Sequence, residues 1–297
     1  MNNVLVLLST YNGEKYLEQQ LDSLISQKDV SISILVRDDS SKDRTIGILE
    51  RYKEFNVNYY VGSNKGAAGS FFDLIHHAPT NYDYYAFCDQ DDYWESDKLI
   101  SAVKMLSICE EKRPAVYYSG QKLADTNLNL ISNHKLCESR SARACFIFNQ
   151  MAGCTSVINC PLLRILQEYK PNLNFGHDVW CYKLCAVLDG FIVVESEGHI
   201  LYRQHGGNVV GFENGFIGKI HRACKYLNEY YPSVYAHELL KGYESQISES
   251  WLEFLQLICK SPSSINNRLR LIFAKDVVFH SVTLKVLYVL KALLGKM

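Results

Sequence analysis

Three carboxylates stand within four residues at the end of an apolar run. Asp89, Asp91 and Asp92 directly follow the run Tyr84–Cys88. Like charges this close repel one another unless water or a cation separates them, and carboxylate oxygens are ligands that suit Mg²⁺ or Mn²⁺. Such ions bridge to substrate phosphates. The segment therefore indicates a metal site for a phosphorylated ligand; the alternative is an acidic turn in which Asp92 or Ser96 caps the following helix.

A second acidic pair, Asp38 and Asp39, follows another apolar run, Ile32–Val36. An acid at this place in a nucleotide-binding fold accepts hydrogen bonds from ribose hydroxyls or from a base N–H. The alternative is a cap for the helix predicted after Thr45, and one acid can serve each purpose.

The spacing of these acids follows from a predicted alternation of strands and helices. The predicted strands are Val4–Leu8, Ile32–Val36, Asn58–Val61 and Tyr84–Cys88, with helical spacing from Tyr16 to Ile25 and from Ile46 to Tyr52. Such alternation is typical of a mostly parallel sheet, in which ligands bind beyond the carboxyl ends of the strands. We therefore expect Thr10–Asn12, Asp38–Asp39, Asn64–Gly66 and Asp89–Asp91 to converge on one crevice. Neither a P-loop nor a dinucleotide-binding glycine motif is present.

The second half of the chain is less regular. Its predicted strands are Ala115–Ser119, Cys145–Phe148 and Phe191–Glu195, and a helical pattern follows Asp178. Long helical patterns begin near Phe216, which predicts a catalytic domain at 1–215 and a helical region at 216–297. Basic residues outnumber acids by six to one over 268–297. The charge predicts peripheral contact with an anionic membrane, with packing on the catalytic domain or on a second subunit as the alternative.

Composition excludes several classes of protein. The 297 residues are 47% apolar with a net charge of −1, which is untypical of a disordered chain or of a general nucleic-acid binder. Ten cysteines without a C-x-x-C pair favour reduced, buried thiols over disulfides or zinc. Val4–Leu8 is too short for the apolar core of a signal peptide, so a cytoplasmic protein is expected.

Four of these motifs, in this order and spacing, resemble those of family 2 glycosyltransferases. The motifs are Val4–Leu17, Arg37–Asp43, Asn64–Gly66 and Asp89–Trp94. The similarity continues through Gly176–Asp178 and Tyr202–Gly211 and covers about two-thirds of the chain. The segments D-Q-D-D-x-W and Y-R-Q-H-G-x-N-V-x-G look most like those of bacterial rhamnosyltransferases of polysaccharide assembly. The resemblance implies an α/β fold of the GT-A type, built around one nucleotide-binding domain.

The resemblance also implies roles for individual residues. Asp91 and His205 match metal ligands for Mn²⁺ or Mg²⁺, and Asp178 matches the general base of inverting members. His177 departs from the family, which usually has Glu at that position. The residues that match nucleotide-sugar contacts are Thr10, Tyr11, Asn12, Glu14, Asp38, Asp39, Asn64, Lys65, Gly66, Asp89, Gln90 and Asp91.

The resemblance implies a metal-dependent, inverting transferase that moves L-rhamnose from dTDP-rhamnose. The implied acceptor is a lipid-linked or growing surface glycan, such as a capsule, at the inner face of the cell membrane. A UDP-galactose or UDP-N-acetylhexosamine transferase is the alternative within the class. A non-catalytic glycan-binding or scaffold protein is the alternative outside it, and a homo-oligomer fits either. A nucleotidyltransferase is disfavoured because Ser9–Gly13 lacks the basic, glycine-rich character of a triphosphate loop.

Overall fold

The computed structural model describes residues 1–136, 141–172, 176–206, 224, 227–228, 231–279 and 281–297. Their strands are β1 Asn3–Thr10, β2 Ser31–Asp38, β3 Val57–Val61, β4 Tyr84–Cys88, β5 Tyr93–Trp94, β6 Ala115–Ala124, β7 Leu130–His134, β8 Val157–Asn159 and β9 Phe191–Arg203. Their helices are α1 Leu17–Ile25, α2 Thr45–Arg51, α3 Gly66–His77, α4 Lys98–Leu106, α5 Ala142–Ile147, α6 Cys160–Glu168, α7 His177–Val187, α8 Pro232–Tyr243, α9 Glu249–Lys260, α10 Ile265–Ile272 and α11 Val282–Leu293.

One mixed sheet carries the N-terminal part of the chain, in the order β3-β2-β1-β4-β8-β6-β9-β5, with β7 beside β6. Strands β3, β2, β1 and β4 are parallel to one another. The middle of β1, Val4–Leu8, is buried on both faces, as expected for a central parallel strand covered by helices. The predicted α/β class with a helical C-terminal region is confirmed.

The described chain divides into two compact units that are each discontinuous in sequence. The first contains Met1–Leu136, Met151–Cys185 and Gly190–Asn208, and it holds the sheet. The second contains Cys137–Gln150, Ala186–Asp189 and Val209–Met297, and it holds α5 and α8 to α11. The predicted boundary near residue 215 lies outside the described residues. Among the described helices, none is long and apolar enough to cross a membrane.

The predicted strand at Cys145–Phe148 is wrong, because this segment belongs to helix α5 and its C-terminal flank. The Ser141 side chain caps the helix by accepting a hydrogen bond from the Ala144 N–H, at 3.2 Å. The Phe146 ring packs against Trp251 and Phe254 in the second unit. A short, wholly apolar run suits a buried helix as well as a buried strand, and the serine cap is the signal that distinguishes them.

Candidate active site

The loops after β1 and β4 are held together by one amide side chain, that of Gln90. Its Oε1 accepts hydrogen bonds from the Thr10 hydroxyl at 2.6 Å and from the Tyr11 N–H at 2.8 Å. Its Nε2 donates to the Tyr11 carbonyl at 3.0 Å. Gly13 lies so close that a Cβ there would stand 2.3 Å from Gln90 Oε1. The two loops therefore form one surface at the carboxyl edge of the sheet.

This surface borders a cleft of about 400 Å³. Its lining residues are Tyr11, Asn12, Gly13, Lys15, Tyr16, Gln90, Asp91, His205 and Gly206. Five of them are predicted site residues, namely Tyr11, Asn12, Gln90, Asp91 and His205. Lys15 and Tyr16 were not predicted to bind ligand, although both lie inside the first family motif, and that position was the signal available for them.

Asp91 and His205 meet at this cleft although 114 positions separate them in the sequence. His205 Nε2 lies 2.8 Å from Asp91 Oδ2, and the His205 ring centroid lies 5.1 Å from that of Tyr16. A carboxylate and an imidazole facing the same cleft are a donor pair that suits Mn²⁺. The structure therefore brings the two predicted metal ligands together at one cleft.

A buried arginine fixes the backbone beneath this pair. Arg203 Nε donates to the Asp91 carbonyl at 2.8 Å, and the Arg203 N–H donates to Asp92 Oδ1 at 3.1 Å. Its Nη2 donates to Gln19 Oε1 at 2.6 Å, and the guanidinium carbon lies 4.4 Å from the Tyr16 ring centroid. Arg203 lies inside the family motif Tyr202–Gly211, but the resemblance implied no role for it.

The acidic segment carries more negative charge than the surrounding protein neutralises. Burial raises the pKa of Asp89, and the nearby charges of Asp91 and Asp178 raise it further. Burial and the charges of Asp91 and Asp89 raise the pKa of Asp92 well above its usual range. Asp92 Oδ2 is buried with no hydrogen-bond partner among the described residues. A divalent cation beside these carboxylates would favour their ionised forms, so the residues fit a metal site.

Two donor sets are available for such a cation. Asp89, Asp92 and Cys154 offer ligand atoms within 4.8 Å of one another. However, Asp92 is fully buried, and burial raises the pKa of the Cys154 thiol so that it keeps its proton. A protonated thiol is a poor ligand for Mg²⁺ or Mn²⁺. Asp91 and His205 line the open cleft, and they are therefore the better candidates for a metal that must also reach a phosphate.

Asp178 lies in the first turn of α7, and its charge raises the pKa of Asp89. Burial raises the pKa of Asp178 itself to about 6, against the opposing effect of backbone hydrogen bonds from Val179 and Gly153. A carboxyl group with this pKa is ionised at neutral pH but still binds a proton readily, which suits a general base. The helix N-terminus also favours the charged form.

His177, which replaces the usual family Glu, points into apolar packing. Its ring centroid lies 3.9 Å from that of Phe71 and 4.6 Å from that of Phe87. Burial lowers the pKa of His177 to about 3, so the ring stays neutral at physiological pH. The structure thus places His177 in the core, next to Asp178 in the sequence.

Asp38 and Asp39 are both buried and already hydrogen-bonded. Asp38 accepts from the Ser41 N–H at 2.8 Å. Asp39 pairs with Arg37 and accepts from the N–H groups of Lys65 and Gly66, each at 2.8 Å. Asp39 therefore holds the N-terminus of α3, which is a different helix from the one that either acid was expected to cap.

Other residues that were predicted to contact the nucleotide sugar also make hydrogen bonds to neighbouring loops. Glu14 Oε2 accepts hydrogen bonds from the Arg44 N–H at 3.0 Å and from its Nε at 3.1 Å. Asn64 Nδ2 donates to the Asp39 carbonyl at 3.1 Å. Glu14, Asn64, Lys65 and Gly66 are not among the residues that line the cleft. Of the predicted motif Tyr202–Gly211, residues 207–211 lie outside the described residues.

Comparison with known proteins identifies the family. The model of the family described as glycosyl transferase family 2 matches residues 5–158. The chain belongs to this family. It is 33% identical to the dTDP-rhamnosyl transferase RfbG of Shigella flexneri over 241 residues, which cover 75% of this chain and 80% of that protein. It is 31% identical over 123 residues to the putative teichuronic acid biosynthesis glycosyltransferase TuaG of Bacillus subtilis, covering 40% of this chain and 47% of that one.

Solved structures agree on the fold. Staphylococcus aureus TarS 1–349, crystallised with UDP-GlcNAc, matches with a TM-score of 0.59 and 20% identity, covering 86% of this chain and 70% of that one. The mannosyltransferase PcManGT of Pyrobaculum calidifontis, in complex with GDP-Man and Mn²⁺, matches with a TM-score of 0.51 and 14% identity, covering 97% and 85%. The chain is therefore a GT-A glycosyltransferase of family 2, as predicted.

Proposed function

We propose that this glycosyltransferase moves L-rhamnose from dTDP-rhamnose with inversion at the anomeric carbon, and that it depends on a divalent metal. The observation that carries the chemistry is the meeting of Asp91 and His205 at the cleft, close in sequence to Asp89, whose pKa is raised by burial and then by the charges of Asp91 and Asp178. The choice of donor is supported by the similarity to the Shigella relative, which is a dTDP-rhamnosyl transferase.

Donor binding is assigned to the cleft and its two loops. Asp91 and His205 would hold Mn²⁺ or Mg²⁺, which when bound supplies positive charge that stabilises the leaving diphosphate. The exposed Lys15 lines the same cleft and adds a cation for the phosphates. Tyr11 and Tyr16 offer aromatic faces to the nucleoside. Asp38 and Asp39 act mainly by holding the neighbouring loops, because their carboxylates are buried.

Asp178 is the proposed general base. Its carboxylate takes the proton from the acceptor hydroxyl while that oxygen attacks the anomeric carbon from the side opposite the diphosphate. The bond from the anomeric carbon to the diphosphate oxygen breaks, and the nucleoside diphosphate leaves with the electron pair. A single displacement of this kind inverts the configuration and needs no nucleophilic side chain.

The proposed acceptor is a lipid-linked or growing surface glycan at the inner face of the cell membrane. We further propose that the chain meets this acceptor by peripheral contact with anionic lipid. The relative from Shigella is a dTDP-rhamnosyl transferase, and TuaG of Bacillus is a putative teichuronic acid biosynthesis glycosyltransferase. The similarity to these two proteins supports a polysaccharide acceptor.

The test is a thermal-shift panel with dTDP, UDP, GDP and CMP, each with and without Mn²⁺. A ligand at about 100 times its dissociation constant stabilises a fold by roughly 2.7 kcal/mol, which moves the melting temperature by a few degrees. We expect a shift that is selective for dTDP and requires Mn²⁺. A shift selective for UDP would instead indicate that the donor is UDP-galactose or a UDP-N-acetylhexosamine.

Asp91→Asn is the matched variant for this panel. Amide nitrogen and oxygen replace a charged ligand at nearly the same size, so the metal-dependent part of the shift should disappear while the melting temperature without ligand stays close to that of the wild type. An unchanged Mn²⁺-dependent shift would remove Asp91 from the metal site. The absence of any nucleotide shift in the wild type would instead support a non-catalytic, scaffold role.

A further inference from the structure

The C-terminal helices carry an unusual share of exposed apolar surface. Half of the large apolar side chains that are exposed in the described residues lie between 265 and 294. Single exposed apolar residues are ordinary in proteins, but a contiguous concentration of them marks an interaction surface.

Helix α11 shows the pattern most clearly. Val282, Val286, Leu290, Leu293 and Leu294 are spaced to share one face of the helix, and all five are exposed, Val282 by 80%. The opposite face packs into the second unit, where the Tyr288 hydroxyl donates to the Leu271 carbonyl of α10. A surface helix normally presents polar residues on its outer face. The outer face of α11 carries an apolar stripe instead, so this stripe needs a covering.

Helix α10 and the residue that ends it add a second stripe within the same unit. Ile265, Leu269 and Phe273 recur every four residues, and each is exposed, Phe273 by 77%. We call these three residues, the four exposed apolar residues of α11 named above and Leu294 directly after it the C-terminal apolar face. The two helices contact each other through the Tyr288 hydrogen bond to Leu271, so the stripes belong to one packed pair of helices.

Charge identifies the kind of surface that covers this face. Residues 265–297 contain six basic side chains and one acid, Asp276, whereas the whole chain has a net charge of −1. That acid is paired with Arg143. The exposed cations Arg270, Lys275 and Lys285 therefore give the surface of this segment a net positive charge. A second copy packed face to face would bring like charges together, whereas anionic lipid headgroups would complement them.

The length of the helices sets the mode of contact. A 12-residue helix such as α11 is about 18 Å long, well short of the roughly 30 Å hydrocarbon core of a bilayer. It can lie in the interface with its apolar side among the acyl chains and its basic side chains at the headgroups.

We propose that the C-terminal apolar face binds anionic membrane, with α10 and α11 lying in the plane of the interface. This inference deepens the proposed function and rests on it for its purpose, since a surface-bound enzyme meets a lipid-linked acceptor at the membrane. Its physical basis is independent of the donor and of the metal site.

The experiment is co-sedimentation of the full chain with phosphatidylcholine vesicles, with and without phosphatidylglycerol. Wild-type protein binds the anionic vesicles at least tenfold more tightly than the neutral ones. The double variant Val286→Ser, Leu290→Ser loses at least tenfold in binding to anionic vesicles. The charge variant Lys285→Glu loses preference for the anionic vesicles. Ile108→Ser, which changes an even more exposed apolar residue of the other unit, binds as the wild type does.

Three results would overturn the inference. One is equal binding to both kinds of vesicle, and another is undiminished binding by the double variant. The third is a dimer in sedimentation equilibrium that the double variant dissociates, without vesicle binding by the wild type, because it would assign the face to a second copy. All variants should keep the wild-type melting temperature, since the substituted side chains are exposed.

The failure of this inference is distinguishable from failure of the proposed function. The Mn²⁺-dependent nucleotide shift should be the same in the double variant as in the wild type, because the substitutions lie in the helical unit. Loss of vesicle binding with an intact nucleotide shift refutes nothing about the transferase. Vesicle binding without any nucleotide shift in the wild type refutes the proposed function and leaves the membrane surface standing.

Discussion

The environment of Asp178 predicts a pH dependence of the transfer reaction. Because burial raises the pKa of this carboxyl to about 6, the base is increasingly ionised as pH rises through that value. We expect kcat/KM to rise between about pH 5 and 7 and then level off. The rising part of this profile reports the pKa of the base in the free enzyme. Asp178→Asn should retain dTDP binding and lose transfer by a factor on the order of 10² to 10⁴. Turnover at the wild-type rate would disqualify Asp178 as the base.

The same substitution should affect stability in the opposite direction. An unfolded Asp loses its proton near pH 4, so between pH 4 and 6 the folded state holds more protons and its stability falls as pH rises. Asn avoids this penalty. We expect Asp178→Asn to be more stable than the wild type by about 1–2 kcal/mol at pH 7, with the difference shrinking toward pH 4. Urea unfolding at the two pH values measures it, and a difference that does not depend on pH would contradict the assignment.

Asp39 is a residue whose role the sequence left open and whose neighbours now define it. Removing its carboxylate would leave the buried Arg37 guanidinium with less compensation and would free the Lys65 and Gly66 N–H groups. We expect Asp39→Ala to cost about 3 kcal/mol of unfolding free energy. The dissociation constant of Asp39→Ala for dTDP with Mn²⁺, measured well below the melting temperature, should change less than that of Asp91→Asn. A larger loss of dTDP affinity in Asp39→Ala than in Asp91→Asn would indicate that Asp39 binds the nucleotide.

At the scale of elements, the loops after β1 and β4 depend on a close approach that only glycine allows. A Cβ at position 13 would stand 2.3 Å from Gln90 Oε1 and 2.8 Å from Thr10 Oγ1, so Gly13→Ala should displace the Gln90 amide. We expect a loss of about 1–3 kcal/mol in stability and weaker dTDP binding. Calorimetric titration measures the second effect.

Gly47→Ala is the matched control for this loop prediction. Gly47 lies inside α2 with open space around its would-be Cβ. Alanine there should stabilise the protein by roughly 0.5–1 kcal/mol, because it restricts the unfolded chain and favours helix. Nucleotide binding should not change. Equal effects of the two substitutions would show that the Gln90 contact does not hold the loop.

The sheet was predictable from sequence to a different extent in its two halves. Its parallel half consists of apolar runs that end in polar clusters, and β1, β2, β3 and β4 lie where those runs predicted them. Strands β5, β7 and β8 were not predicted. The first and last have only two and three residues, too few to show a period, and β7 is exposed at every position, so no apolar pattern marks it. Tertiary pairing, rather than local sequence, produces these strands.

At the scale of the whole molecule, the candidate site was also predictable from the sequence only in part. The family motifs identified Asp91 and His205, and the fold brings them within 2.8 Å. The support of Arg203 for this pair could not be predicted, because its partners Gln19 and Thr126 come from distant parts of the chain. Likewise, no local signal shows that Asp39 holds α3 instead of lining the cleft. A buried carboxylate and a ligand-binding one look alike in sequence.

The interleaved second unit predicts that the chain cannot be divided by a single cut after the first unit. Helix α5 buries Phe146 against Trp251 and Phe254, and Arg143 pairs with Asp276, all within the second unit. A chain ending at residue 231 would keep α5 but lose these partners, exposing an apolar helix. We expect such a truncated chain to bind a hydrophobic dye and aggregate, in contrast to the full chain carrying Val286→Ser and Leu290→Ser. A monodisperse truncated protein with an unchanged melting temperature would show instead that α5 does not depend on the C-terminal helices.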